Sequence, residues 1–145
     1  MKIVRHLWIV VMLLPVLMIV MACGSDKYSE AQALYIDHAK ATEDYVSGLE
    51  SAQNADDAAA AIDRYTDNMK ELIPRIKALQ KQHPELREMH ANRQVPEELQ
   101  EATERLEAAT EKVQGATMNM MKYMMDPKVQ KAMQRMGQEL KGLGS

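Results

Sequence analysis

"AIDRYTDNMKELIPRIKALQ", residues 61–80, is the stretch on which the fold turns. Large apolar side chains fall at Ile62, Tyr65, Met69, Leu72, Ile76 and Leu79, with gaps that alternate between three and four. An α-helix completes a turn every 3.6 residues, so this spacing draws one apolar seam along a helix, in the manner of a coiled coil. A strand would show alternation at every second residue. Pro74 stands inside the seam. It removes a backbone donor and crowds the turn before it, yet the seam keeps its phase across it, so a kink is expected rather than a break. The helix is expected over about 56–82, entered through the turn and cap of Asn54-Ala55-Asp56-Asp57 and closed by His83-Pro84.

Working outward, the same period recurs on both sides. A first helix is expected over about 29–53, with Ser29 as its cap and a stripe of Ala31, Leu34, Tyr35, His38, Ala41, Tyr45, Val46 and Leu49. Residues 85–95 read as a connector with a single helical turn at Glu85–Met89. Pro96 then suits the first turn of a third helix, where a missing donor costs nothing. Its seam is Leu99, Ala102, Leu106, Ala109, Val113, Ala116, Met120 and Met124. Glu101 and Arg105, four apart, are expected to pair along that helix. Asp126-Pro127 caps a shorter last helix with Val129, Met133, Met136 and Leu140 inward, ended by Gly142 and Gly144. The expected fold class is all-α: an up-down helical bundle of three long helices plus a short C-terminal fourth.

The start of the chain has a different character. Lys2 and Arg5 precede an apolar run from Leu7 to Met21, too short for a spanning helix and the right length for a secretory signal. The run closes on Val20-Met21-Ala22-Cys23, which resembles the lipobox of bacterial lipoproteins. That resemblance implies cleavage before Cys23, a diacylglyceryl group on its sulfur and an acylated new N-terminus. More than one acyl chain anchors a protein stably. Cys23 is the single cysteine of the chain. Export leads to an oxidising compartment, but no disulfide can form once that sulfur carries lipid, so the core alone must hold the fold. The expected organisation is 1–22 signal peptide, 23–28 lipidated cysteine and tether, and 29–145 bundle domain. In enteric lipoproteins an aspartate directly after the cysteine retains the protein in the inner membrane. Gly24 stands there, which favours the outer membrane, facing the periplasm.

Composition narrows the partners. Against 21 acidic residues stand 18 basic ones, and Lys2 and Arg5 leave with the signal. A net negative chain with no phenylalanine, and whose one tryptophan lies in the signal, has neither the charge nor the stacking platforms for nucleic acid. Acids crowd residues 26–70 and bases crowd 112–145, which is expected to reflect complementary faces on packed helices. The alternative is a basic end that leans on anionic lipid.

"MNMMKYMMDPKVQKAMQRM", residues 118–136, carries seven of the 13 methionines. Met120 and Met124 continue the third seam, while Met118, Met121 and Met125 fall on its flank. The last helix, folded back through Asp126-Pro127, is the expected cover, since methionine fills irregular gaps. A second reading is Cu(I): thioethers are soft ligands, and Met118, Met120, Met121, Met124 and Met125 hold Met-x-Met and Met-x-x-Met spacings, with His83, Met89 and His90 as further donors from the connector. A third reading comes from "MMDPKVQKAMQRM", residues 124–136, which is similar to the Asp-Pro helical motifs of heat-shock co-chaperones. That likeness implies a groove for apolar peptide segments. The bundle layout also resembles that of periplasmic four-helix b-type cytochromes, but the first helix has no methionine and the last no histidine, so haem is not expected.

No other catalytic pattern stands out. There is no His-Glu-x-x-His, no Glu-x-x-His pair, no Gly-x-Ser-x-Gly and no phosphate-cradling glycine loop. His38 reads as a bundle histidine beside Asp37, and His83 and His90 as exposed connector residues. Glu97, Glu98, Glu101 and Glu104 suit a positive helix N-terminus without a metal. The expectation is a non-enzymatic binding or structural module of the cell envelope, without cofactor. It is held to the membrane through lipid on Cys23, with a protein partner and with self-association open to it.

Overall fold

The computed structural model describes residues 27–92 and 94–143. The signal segment 1–22, Cys23, most of the tether and Gly144 lie outside the described residues. Residues Ala31–Ser145 form a compact unit of their own. The described part is all-α, with five helices and no strand: α1 (Ser29–Ser51), α2 (Ala55–Gln82), α3 (Pro84–Ala91), α4 (Glu97–Met120) and α5 (Pro127–Glu139). Short 3₁₀ turns follow α4 at Met121–Tyr123 and α5 at Leu140–Leu143. Among the described residues no helix is long and apolar enough to cross a membrane.

Local chemistry sets the helix ends. Asn54 Oδ1 accepts the Asp57 amide at 3.0 Å, and Asp57 Oδ2 accepts the Gln53 amide at 3.1 Å, so two exposed donors at the α2 N-terminus are satisfied by side chains. α2 passes through Pro74 as one helix. The ring leaves the Lys70 carbonyl without its helical donor, a cost that the buried seam on both sides outweighs. Asp126 Oδ1 accepts the Lys128 amide at 2.8 Å, with Pro127 as the first residue of α5.

Side-chain contacts show how the helices run. Asp37 pairs with Arg75 at 2.7 Å, and Tyr45 stacks on Tyr65 at 4.6 Å, so α1 and α2 run in opposite senses. Glu43 takes both an Nε and an Nη hydrogen bond from Arg105, and the Ala52 carbonyl accepts from the Tyr123 hydroxyl, so α1 and α4 run the same way. Arg105 therefore bonds across the helices to Glu43, rather than along α4 to Glu101 alone: the carboxylate matches the guanidinium fork in a bidentate pair. Asp56 pairs with Lys128, Asp63 and Asp67 with Arg135, and Lys70 with Glu139 at 3.2 Å, so α2 and α5 run together. The acid-rich and base-rich stretches of the sequence face each other here.

The interior divides into two halves. In the first, α1, α2, α4 and α5 enclose Val46, Leu49, Ala52, Ala58, Ala59, Ile62, Ala116, Met120, Val129 and Ala132. Alanine dominates, and the helices approach closely: a Cβ on Gly48 would stand 2.8 Å from that of Ala61. In the second half α5 is missing. Its last ion pair reaches Lys70, and α2 continues for about 18 Å beyond that point. Here Leu34, Leu72, Leu79 and Leu99 are buried, but the seam residues Ile76 and Leu106 remain half-exposed.

Several sequence expectations fail. The connector holds a second short helix, α3, of eight residues instead of a single turn. Pro84 starts it, the Leu86 amide bonds to the His83 carbonyl at 3.1 Å, and the Leu86 side chain is buried. The last helix does not cover the methionine flank. Met118, Met121 and Met125 are 67, 65 and 86 % exposed, and Met124, expected on the seam, is also exposed. The chain leaves α geometry at Met121, which ends the 100° phase of the α4 seam. α5 then lies along α2, drawn by Val129 and Ala132 on its inner face and by Lys128 and Arg135 beside it.

Candidate functional site: a groove in the open half

Where α5 stops short, a groove of 830 Å³ lies between α1, α2, α3 and α4. Its apolar walls come from Leu34 and Tyr35 on α1, Ile76 and Leu79 on α2, Leu86 on α3 and Leu106 on α4. These residues belong to seams that a fourth helix would otherwise seal. Leucine and isoleucine hold the surrounding helices apart, since interaxial distance follows the side chains at the contact. Pockets for small molecules combine this volume with an apolar lining and few polar groups.

Polar side chains also line the groove, among them Tyr35, His38, Gln80, His83, Thr103 and Thr110. Burial pushes the His38 imidazole below its ordinary 6.5, which favours the neutral ring. Burial likewise raises the Tyr35 hydroxyl above 10.0. His83, expected to be exposed, is half-buried, with Nδ1 3.1 Å from Glu85 Oε1. Arg87, Glu107 and Glu111 stand at the exposed rim.

Thr103 is the exception among the threonines. Thr42, Thr66, Thr110 and Thr117 each donate to the carbonyl four residues back, at 2.7–2.9 Å. Thr103 lines the groove, is 4 % exposed, and its hydroxyl has no hydrogen-bond partner. A buried donor left unpaired costs about 1–3 kcal/mol. Nothing in the sequence marks it: its neighbours resemble those of Thr110.

The methionines lie elsewhere. Met120 is buried in the closed half beside Val129 and Ala132, so its sulfur is committed to the core. Met118, Met121, Met124 and Met125 are exposed at the far end of α4. His83 and Met89 belong to the opposite end of the helices, beside the groove, and do not join them; the His90 side chain lies outside the described residues. Among the described residues no group of three or more His, Cys, Asp or Glu is placed to hold a metal.

Comparison with known proteins finds no matching family model, no matching curated protein and no matching solved structure.

Proposed function

We propose that this chain is a lipid-anchored, non-enzymatic binding module of the bacterial cell envelope, built as an up-down bundle of three long helices with a short C-terminal fourth. The 830 Å³ groove of the open half carries this reading. It takes an apolar ligand, while the alanine-rich closed half serves as a rigid clamp. The sequence Val20-Met21-Ala22-Cys23 supports the anchor, with lipid on Cys23 and the outer membrane as the site.

Two measurements test it. In cells, Cys23→Ser is expected to leave an unprocessed precursor that incorporates no labelled palmitate; normal cleavage would remove the anchor. In solution, residues 24–145, which contain the whole compact unit, are expected to enhance the fluorescence of 1-anilinonaphthalene-8-sulfonate. Leu106→Arg, which puts a charge into the groove, should abolish that signal with the helical circular dichroism unchanged. A signal that survives Leu106→Arg would place the site elsewhere.

A second reading rests on the exposed thioethers of Met118, Met121, Met124 and Met125, which could load Cu(I) without Met120. It expects Cu(I) withdrawal from a chromogenic chelator, lost when Met118, Met121 and Met125 become leucine. No withdrawal by the unaltered protein sinks it.

A further inference from the structure

We propose that the ligand of the groove is a monoacyl amphiphile: one hydrocarbon chain ending in a hydrogen-bond-accepting head, with the head taken by the Thr103 hydroxyl. The inference rests on the groove being the binding site and adds the chemistry of its occupant.

Three observations lead there. The first is polar accounting. The lining segments of α1, α2 and α4 are helix interiors, whose amides and carbonyls are already paired within each helix. An extended peptide would bring an N–H and a C=O with every residue, and the walls meet them only with scattered side chains such as Tyr35, His38, Gln80 and Thr110, not with a repeating edge. A hydrocarbon chain brings neither. The second is size. At roughly 30 Å³ for each water-sized group, 830 Å³ takes somewhat under thirty heavy atoms. That is a long fatty acid with space around its head, but only three or four amino-acid residues. The third is shape. The groove runs along α4 from Thr103 to Glu111, about 12 Å. A helix laid there would touch it over little more than two turns, below the length at which isolated helices hold together. An alkyl chain bends into such a space by rotating single bonds.

Thr103 supplies the polar contact. Threonine in a helix divides between rotamers, one of which bonds to the carbonyl a turn earlier. Its four counterparts have taken that bond and Thr103 has not. Thr103 lines the groove, so its hydroxyl is a donor there with no other partner to give up. The occupied groove then satisfies a donor that the empty groove leaves unpaired, so the polar atom that weakens the fold alone strengthens the complex.

The experiment uses residues 24–145 in detergent-free buffer, with 11-(dansylamino)undecanoic acid as the fluorescent probe. Hexadecanoate and a ten-residue leucine-rich peptide are the competitors. The proposal expects one probe bound per chain and displacement by hexadecanoate but not by the peptide. Thr103→Val keeps the shape and removes the hydroxyl. It should weaken the probe about threefold to tenfold while leaving the melting temperature unchanged or higher, and Thr103→Ser should restore binding. A residue with a merely structural role would lower the melting temperature instead. If 1-anilinonaphthalene-8-sulfonate binds but the undecanoate does not, or the peptide displaces it, the acyl ligand is wrong and the groove remains a binding site. If neither probe binds, the binding reading fails and the acyl ligand falls with it. If Thr103→Val binds as tightly as the unaltered chain, the head does not sit on Thr103.

Discussion

The two halves of the interior share α1, α2 and α4 and reach opposite results. In the closed half Ala52, Ala58, Ala59, Ala61, Ala116 and Ala132 stand among Leu49, Ile62 and Met120 and let the helices touch, and α5 seals the fourth side. In the open half Leu34, Leu72, Leu79, Leu86 and Leu99 are buried beside Ala31, Ala39 and Ala102. A space nonetheless remains where Ile76 and Leu106 line the groove, beyond the end of α5. Both halves bury alanine and larger side chains alike, so what separates them is the fourth side.

Substitutions can break this contrast. The largest effect is expected at the isoleucines. Ile62→Ala, in the sealed half, should cost about 2–5 kcal/mol in urea unfolding, because the rigid surroundings cannot collapse onto the void. Ile76→Ala, on the groove wall, should cost roughly 1 kcal/mol, since part of its surface already meets water. Equal losses would mean that the open half is sealed in solution.

The glycines give a smaller effect of opposite signs. Gly48→Ala gains up to about 1 kcal/mol in helix propensity. Its new methyl must share space with Ala61 Cβ at 2.8 Å, and overpacking of this kind costs about 1–3 kcal/mol. The net is destabilising. Gly115→Ala and Gly137→Ala meet nothing within 4 Å and should each stabilise by about 0.5–1 kcal/mol. A stabilising Gly48→Ala would show that α1 and α2 can part without loss, which the closed half is argued to forbid.

The smallest effect sharpens the open half. Because the folded state holds the His38 pKa below the unfolded value, the unfolded chain binds the proton more readily. Stability from this site is complete above about 6.5 and declines as pH falls from there toward the folded pKa. His38→Gln should flatten that decline in unfolding measured across the same window, and an unchanged slope would mean that His38 is solvated.

Much of the buried interior, in both halves, could be read from spacing alone. The seam at Ile62, Met69, Leu72 and Leu79 is buried as expected, as are Leu34, Tyr45, Val46, Leu49, Leu99 and Met120. The capping residues Asn54 and Asp126 act where the sequence places them. Alanines were harder to place. Ala31, Ala41, Ala102, Ala109 and Ala116 are buried where the spacing puts them, but Ala39, Ala58, Ala59 and Ala132 are buried as well, and alanine suits a solvated helix face equally well, so spacing did not mark these four. Met124 was misplaced because the seam argument assumes α geometry, and the chain tightens at Met121. The methionine flank was given a cover that α5 does not provide.

The groove was not legible at all. Its walls are ordinary seam residues, and what exposes them is an absence: α5 ends beside Lys70 while α2 runs on to Gln82. Thr103 has the same sequence context as threonines that pair normally, and only the surrounding packing leaves its hydroxyl alone. The sequence by itself determined the all-α class, the ends of the long helices and most of the buried seams, because those depend on residues three and four apart. Which helix faces which, where the fourth side is left open, and which polar atom is stranded were decided by the tertiary structure, because they depend on residues that meet only when distant parts of the chain pack together.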